Sequence, residues 1–525
     1  NKIAVQPIDT MDVKVRINVV ALPKFSDSKF YGVLQGGARF LMMLRNVSVS
    51  YKNNYNLTLP GFIPNVGDCF GQATGPMRPG LGFAFGIVDD SYIDHAKDNG
   101  WLMCSDSIAT PASSTMNTDL QIKATLEPIP DLKIDLMATR TESKSRSIQY
   151  MYPGSPTTAS GSFNMTTISI GTAFSSQGDA SNNYSSAAFE KFRSALPEMQ
   201  QRVESQYIGV KYPAGTGMSG TFDPAKGTVG MYSADVMIPA FLSTYTCSGG
   251  GLDIMPALKK LLPNWSLSYK GLGKLPWIRD HFKSVTLTHS YKSVYAVGSY
   301  NTLSSWIEYM GGLGFAKNTM TGMYAPSSMY DVSTVSVNES FSPLIGLNLT
   351  MNNNMTFKVE YRKTRVLTLS MTNAQINETG SDDLVFGFGW KLNNVKLSSL
   401  FKKTSKESPT TRTKAGEKVD NQKKKKTSKK EDKQKSVFSH DLNMRFDISL
   451  RNQSAINRDI QTGLSEATSG SKALKISFNA DYTLSRYVTL SLYFDRQSNS
   501  PLLTNNGYPT ATTDFGFNLK FSLTR

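Results

Sequence analysis

The last strand of the chain carries the clearest fold signal, FGFNLKFSLT (residues 515–524). Its aromatic and aliphatic residues, Phe515, Phe517, Leu519, Phe521 and Leu523, alternate with glycine or polar residues. A period of two places the two sets on opposite faces of a β-strand. The stretch therefore predicts a long amphipathic strand with one apolar face and one polar face.

The same alternation recurs through most of the chain. It is clear at residues 488–495, 474–482, 442–451 and 384–392, where glycines 387 and 389 occupy the polar face. Further alternating segments lie at residues 335–351, 357–371, 285–300, 120–138 and 11–19. Such regular alternation indicates an antiparallel sheet with two chemically different faces.

Strand length and charge favour a membrane-spanning sheet over a soluble one. Many segments reach about ten residues, enough to cross a bilayer at a tilt, whereas soluble strands average roughly 5–6 residues. The polar face carries the full charges of Arg445, Asp447, Lys475 and Asp481, which suit contact with a water-filled lumen. We therefore expect an all-β fold, a transmembrane antiparallel β-barrel. A soluble β-protein is the less favoured alternative.

One strand breaks the alternation. In residues 359–365, VEYRKTR, the cations Lys363 and Arg365 fall on the apolar face. A cation that faces mid-bilayer lipid costs roughly 2–4 kcal/mol. Either a β-bulge resets the register, or a partner covers this face in place of lipid. Both residues are therefore candidate partner or lumen contacts.

The alternating segments define the predicted domain organisation. Barrel strands are expected at 1–51, 120–140 (a hairpin), 265–397 and 441–525. An extracellular loop element is expected at 52–119, an extracellular cap at 141–264, and a flexible periplasmic loop at the Lys-rich segment 398–440.

Helical periodicity marks the cap. Apolar residues follow one helical stripe over 185–207, at Phe189, Phe192, Leu196, Met199 and Val203. A shorter helix is expected at 253–262. We interpret the region as a folded cap over the pore mouth.

Each strand that crosses the membrane changes the side, so counting strands back from the C-terminus assigns each loop to the periplasm or the cell exterior. With Arg525 in the periplasm, turns 485–487 and 352–355 are periplasmic. Longer loops at 497–513, 452–471, 372–383 and 301–334 are extracellular, as in bacterial barrels. The odd number of strands counted leaves Asn1 outside, which predicts that further strands precede this segment.

Charge and titratable residues give no sign of catalysis or nucleic-acid binding. The formal net charge is +16, but much of it lies in the Lys-rich segment rather than on a basic face, so we expect no nucleic-acid partner. The four histidines, His95, His281, His289 and His440, fall in no catalytic or metal-binding motif. We expect a protein that is not an enzyme, with no catalytic, cofactor or metal site.

Several long stretches resemble one known family, in the same order along the chain. The first is LPNWSLSYKGLGKLPWIRDHFKSVTLTHSYKSVYAVGSY (residues 262–300). The others are LPGF with RPGLGFAFG (59–86), FEKFRSAL (189–196), SFSPLIGLNLTMNNNMTFKVEYRKTRVLTLSMTN (340–373) and FNADYTLSRYVTLSLYFDRQSNSP (478–501). Together they resemble the C-terminal portion of the SprA/Sov family, the outer-membrane translocon of the type IX secretion system.

The resemblance implies a function in protein export. The family forms a very large single-chain barrel in Bacteroidetes-type outer membranes and exports folded cargo to the cell surface; some relatives also support gliding motility. Expected partners are a PorV-like barrel protein, a periplasmic plug protein, secreted cargo with a C-terminal signal domain, and membrane lipid. The alternative is an outer-membrane uptake barrel, either a TonB-dependent transporter or a porin-like protein.

Overall fold

The computed structural model describes residues 42–522, except 66, 68, 74–77, 90, 104–109, 151–156, 248–249, 311–312, 319–320, 394, 396–439, 486 and 504–506. The expected strand at 11–19 and nearly all of the Lys-rich segment 398–440 lie outside the described residues.

The described fold is dominated by one antiparallel sheet, which confirms the predicted β-class. Its strands follow the order β1-β2-β3-β4-β6-β10-β11-β12-β13-β14-β15-β16, and β5 pairs with β3 and β6. The bounds are β1 Leu44–Thr58, β2 Ala112–Leu126, β3 Leu132–Ile148, β4 Thr158–Thr166, β5 Asn264–Tyr269, β6 Phe282–Thr302, β10 Tyr330–Met351, β11 Met355–Ser370, β12 Gln375–Leu392, β13 Leu442–Asp459, β14 Ser465–Thr483, β15 Val488–Pro501 and β16 Thr510–Phe521. Within the described ranges, β1 and β16 do not pair with each other.

Smaller elements lie between these strands. The helices are α1 Leu81–Ala84, α2 Ser91–Asp98, α3 Ile170–Ala173, α4 Ala187–Ser205, α5 Ala234–Tyr245 and α6 Pro276–Arg279. A separate three-stranded sheet contains β7 Ile307–Met310, β8 Leu313–Lys317 and β9 Tyr324–Ser327. None of the helices in the described part of the chain combines the length and apolarity needed to cross a membrane.

Two short strands, β4 and β5, share one position in the large sheet, and the cap is the segment that connects them. Strands β4 and β5 both lie between β3 and β6, β4 against residues 140–147 of β3 and β5 against residues 132–137. Residues 167–263, which include α3, α4 and α5, connect the two half-strands. The segment expected to belong wholly to the cap therefore contributes β4 to the sheet.

The strands are longer than the sequence predicted, and this shortens the loops. Residues 372–383 and 452–471 were expected to be extracellular loops, but only residues 371–374 and 460–464 form turns. The remaining residues of these two segments belong to β12, β13 and β14. The expected loop element 52–119 likewise begins and ends within β1 and β2. We call the end of the sheet that carries these turns the cap end.

The cap helices pack on one face of the sheet at the cap end. The core joins Phe192 and Leu196 of α4 and Phe241 of α5 to the sheet residues Val335 and Leu369. Strand parity puts these two sheet residues on the face that also carries the apolar residues of the C-terminal strands. The helices thus lie against the apolar face of the sheet at its cap end.

Of the two helices that the sequence predicts, the structure contains one and lacks the other. The stripe over 185–207 corresponds to α4, Ala187–Ser205. Residues 253–262 contain only a short 3-10 turn at Leu258–Lys260, not the expected helix. The second cap helix is α5, which is buried on nearly all sides. A helix buried all round has no polar face and therefore gives no amphipathic stripe.

Candidate functional site

The apolar face carries a continuous band of exposed hydrophobic side chains below the cap. On β13 the band runs from Leu442 to Leu450, roughly 27 Å of strand at about 3.4 Å per residue. A tilted strand of that length covers roughly 20 Å, close to the apolar belt of about 25 Å in outer-membrane barrels. We name it the apolar band. It includes Val47, Val49, Ile345, Val359, Phe386, Phe446, Leu450, Leu474, Leu492, Phe515, Phe517, Leu519 and Phe521, all substantially exposed.

One row of this band consists entirely of phenylalanine. The register places six of them side by side across β11 to β16: Phe357, Phe388, Phe446, Phe478, Phe494 and Phe515. The first two rings pack with centroids 5.1 Å apart. Paired aromatics stabilise neighbouring strands, and Phe515 remains 73% exposed. An exposed apolar patch of this extent marks a surface that contacts a protein partner or a membrane.

The opposite face is polar and charged, and four residues predicted as lumen contacts lie on it. Arg445 pairs with Asp447 at 2.6 Å (Nε to Oδ2). Asp481 accepts a hydrogen bond from the Ser491 hydroxyl at 2.5 Å. Lys475 lies in register with Ser449 and is exposed.

Further ion pairs extend this polar face. Arg451 binds Asp383 through two N–H groups at 2.8 and 3.0 Å. Glu360 lies between Lys358 and Arg362, at 2.9 and 2.5 Å from their nitrogens. Charged groups keep their hydration only if this face meets water. Its chemistry therefore suits an aqueous boundary.

A shallow groove crosses the polar face at two glycines. It has a volume of about 490 Å³ and is lined by Lys358, Lys391, Arg445 and other residues of β10 to β13. A Cβ at Gly389 would lie 2.5 Å from Thr356 Oγ1, and one at Gly387 would lie 2.8 Å from Asp447 Oδ1. Only glycine fits here without displacing these side chains.

The two cations on the apolar face are neutralised within the chain. Arg365 is 4% exposed and binds Glu339 at 2.9 Å, Nη2 to Oε2. Its guanidinium also donates to the backbone carbonyl of Thr172 (2.6 Å), and Tyr291 donates its hydroxyl proton to Glu339 (2.8 Å). Lys363 pairs with Asp382 at 3.0 Å. One of the two expected explanations was that a partner covers these cations; at Arg365 the covering residues instead belong to the segment after β4 of the same chain.

A second buried ion pair was missed by the sequence analysis. Arg458 is 0% exposed and donates two N–H groups to Glu378 Oε2, at 2.9 and 2.8 Å. It also donates to the carbonyl oxygens of Gln177 (2.9 Å) and Tyr184 (2.5 Å). The guanidinium lies 5.7 Å from the ring centroid of Phe189 on α4. The alternation could have indicated this pair, because Arg458 and Glu378 lie at the positions of their strands that otherwise carry the apolar residues.

Together these arginines hold one segment against the sheet. We call residues 172–184, whose carbonyl groups they bind, the strap. Gln177 of the strap accepts a hydrogen bond from the Ser454 hydroxyl at 2.8 Å. It packs so closely that a Cβ at Gly380 would lie 2.6 Å from its Nε2. The strap leads directly into α4, so the buried ion pairs fix the cap on the sheet.

Asp235 gives the cap a titratable group. It lies in the first turn of α5, and its Oδ2 accepts a hydrogen bond from the Ser328 backbone N–H at 3.0 Å. Burial raises the pKa of its carboxyl above the usual 3.8, although the hydrogen bonds with Ser327 and Ser328 oppose the shift. The folded cap therefore binds this proton more tightly than the unfolded chain does.

We expect the stability of the cap to fall with rising pH through Asp235. The stabilisation is fully present below the usual pKa of the carboxyl and is lost as pH rises through the raised value. Asp235→Asn keeps an acceptor oxygen but cannot ionise, so it should remove this dependence and increase protection near pH 7. The pH dependence is measured as hydrogen-exchange protection of residues 234–245, after correction for the intrinsic exchange rates at each pH. Asp223→Asn, elsewhere in the cap, is the control. Identical pH profiles for wild type and Asp235→Asn would contradict the prediction.

Across the part of the chain that the structure describes, no group of three or more His, Cys, Asp or Glu side chains is arranged to hold a metal ion. In comparisons with known proteins, the chain matches no family model and finds no significant match among curated sequences.

Proposed function

We propose that this chain forms part of the wall of an outer-membrane protein-conducting channel that exports folded cargo in type IX secretion. The observation that carries the proposal is the two-faced sheet, with an apolar band on one face and paired charges on the other. A membrane barrel that encloses water needs this arrangement. The resemblance of five stretches, in the same order, to the SprA/Sov family is the basis for proposing folded cargo and type IX secretion.

In this proposal each face has a separate task. The apolar band contacts lipid, and the polar face borders a lumen in which a folded hydrophilic protein keeps its hydration. The buried arginines hold the cap at one end of the wall, on the cell-surface side. Contacts with a PorV-like barrel protein, a periplasmic plug protein and cargo signal domains then supply selectivity.

Affinity purification of the full-length protein from native outer membranes tests the function. We expect a PorV-like barrel protein and secreted cargo to co-purify with it. An untagged strain and an unrelated tagged outer-membrane barrel are the controls. Recovery of TonB without cargo would instead support an uptake barrel, and recovery of neither would contradict export.

A further inference from the structure

A small cavity lies between the strap and the apolar face of the sheet. It has a volume of about 240 Å³. Its lining is mostly polar and includes Ser175 and Ser176 of the strap and Lys363, Asp382 and Asn452 of the sheet. Polar groups removed from bulk water need hydrogen-bond partners. The cavity therefore suits a polar occupant better than an acyl chain.

Arg365 contributes to this cavity a donor that the chain leaves without an acceptor. The residue lines the cavity and is 4% exposed. Its two terminal nitrogens bind Thr172 and Glu339, whereas its Nε is buried and has no hydrogen-bond partner among the described residues. Buried donors in native proteins are nearly always paired. An acceptor oxygen held in the cavity is the simplest partner for this N–H.

The strand register continues the polar lining as a row across the face. Lys363 lies in register with Asp382, and Asn452 and Lys472 follow on the next two strands. The Lys363 ammonium binds the Asp382 carboxylate at 3.0 Å, so these two charges offset each other. Lys472 is exposed and forms no ion pair with the residues that the structure describes. The row therefore has one positive charge in excess.

An apolar hollow adjoins the cavity on the side away from the cap end. It has a volume of about 340 Å³ and shares Asp382 and Asn452 with the cavity. Its apolar lining is a row of three leucines in register, Leu384, Leu450 and Leu474. Leu450 and Leu474 belong to the exposed apolar band. The two hollows thus form one surface, polar under the strap and apolar where the band begins.

We propose that the two hollows together bind one phospholipid with a hydroxyl-bearing headgroup. The phosphate lies at Lys472, which also lines the apolar hollow, and a charge-assisted hydrogen bond holds it there. The headgroup enters the cavity, where its hydroxyl oxygens accept from Arg365 Nε and donate to Asp382. Asp382 and Lys472 are two strands apart, roughly 10 Å, a span that a headgroup and a lysine side chain bridge. The acyl chains lie on the leucine row.

This site deepens the proposed function at one point only. It rests on the assignment of the apolar band to lipid, because that assignment puts the polar row at headgroup level. It does not rest on export, since no cargo or protein partner takes part in the binding.

Binding assays with the full-length protein in a non-ionic, phosphate-free detergent test the site. The probes are dihexanoyl phosphatidylglycerol, glycerophosphoglycerol (the same headgroup without acyl chains) and dihexanoylglycerol (the acyl chains without the headgroup), with affinities measured by calorimetry. We expect the phospholipid to bind more tightly than either half alone. It should also slow hydrogen exchange of strap residues 173–177, which lie over the headgroup.

A matched pair of lysine variants locates the phosphate. Lys472→Gln should weaken phospholipid binding about ten-fold, because one charge-assisted hydrogen bond is lost. Lys475→Gln removes a cation from the same strand but from the polar face, so the affinity should not change. Unaltered hydrogen exchange of β13 and β14 without lipid establishes that both variants are folded.

Four results would overturn the proposal. Equal affinity for glycerophosphoglycerol and the phospholipid would remove the acyl chains from the site, and equal affinity for dihexanoylglycerol would remove the headgroup. Equal effects of Lys472→Gln and Lys475→Gln would mean that the phosphate is not held at this row. Absence of phospholipid binding would leave the cavity to water alone. None of these results bears on the co-purification of cargo, so failure of the lipid site and failure of the export function are distinguishable.

Discussion

Replacing Arg458 with methionine should release the strap and loosen the cap while the strands below stay paired. The substitution keeps an unbranched side chain near Phe189 but removes the donors to Glu378, Gln177 and Tyr184. Glu378 would then be buried without its cation, which typically costs roughly 3–5 kcal/mol. A loss of that size should open residues 172–205 locally without unfolding the long strand ladders.

Hydrogen exchange and limited proteolysis of the purified protein measure this effect. Arg451→Met is a matched control, because Arg451 is on the same strand and also pairs with a carboxylate, but its side chain is 55% exposed. An exposed pair contributes at most about 1 kcal/mol, so protection of the cap should not change. Adding Glu378→Leu to Arg458→Met should restore part of the protection by removing the unpaired charge. Equal losses for Arg458→Met and Arg451→Met would contradict the assigned role of the buried pair.

Placing a lysine in the apolar band should prevent stable membrane assembly. Ile448 lies in the band between Phe446 and Leu450 on β13. A lysine facing lipid near the bilayer midplane costs roughly 2–4 kcal/mol. We therefore expect Ile448→Lys to lower the amount of folded protein in the outer membrane and the denaturant concentration at which it unfolds.

The neighbouring residue supplies the control. Ser449 is adjacent in sequence but lies on the polar face, in register with Val385 and Lys475. Ser449→Lys adds the same charge where water is expected, so assembly should stay close to wild type. Equal defects in the two variants, or a larger defect in Ser449→Lys, would contradict the assignment of lipid and water to the two faces.

The sequence predicts the strands well in the half of the sheet away from the cap end and poorly in the half at the cap end, for one physical reason. Where the apolar face is left exposed, as at Phe446 and Phe515, strict alternation remains visible and the strand is found. Where the cap covers that face, the strands continue through Gly380, Ser454 and Gly470, small residues that accommodate the strap or the residues after β15. Alternation fades there, so the extended residues resembled loops.

The candidate site follows the same division. Arg445 and Asp447 were found because charges alternate with apolar residues around them. Arg365 was noticed because it interrupts that alternation. Arg458 was overlooked because its strand was taken to end at Arg451, although the same parity continues. The contacts of Arg458 with the strap join residues more than 270 positions apart, and no local pattern contains that information.

Spin labelling along β13 tests the two-faced membrane wall most directly. Single nitroxide labels at successive positions 443–451, in a variant whose native cysteines are replaced by serine, would be measured in lipid bilayers. The account predicts that accessibility to oxygen peaks at positions 444, 446, 448 and 450. Accessibility to a water-soluble nickel complex should peak at 443, 445, 447, 449 and 451. The absence of a two-residue period, or nickel accessibility at the even positions, would contradict it.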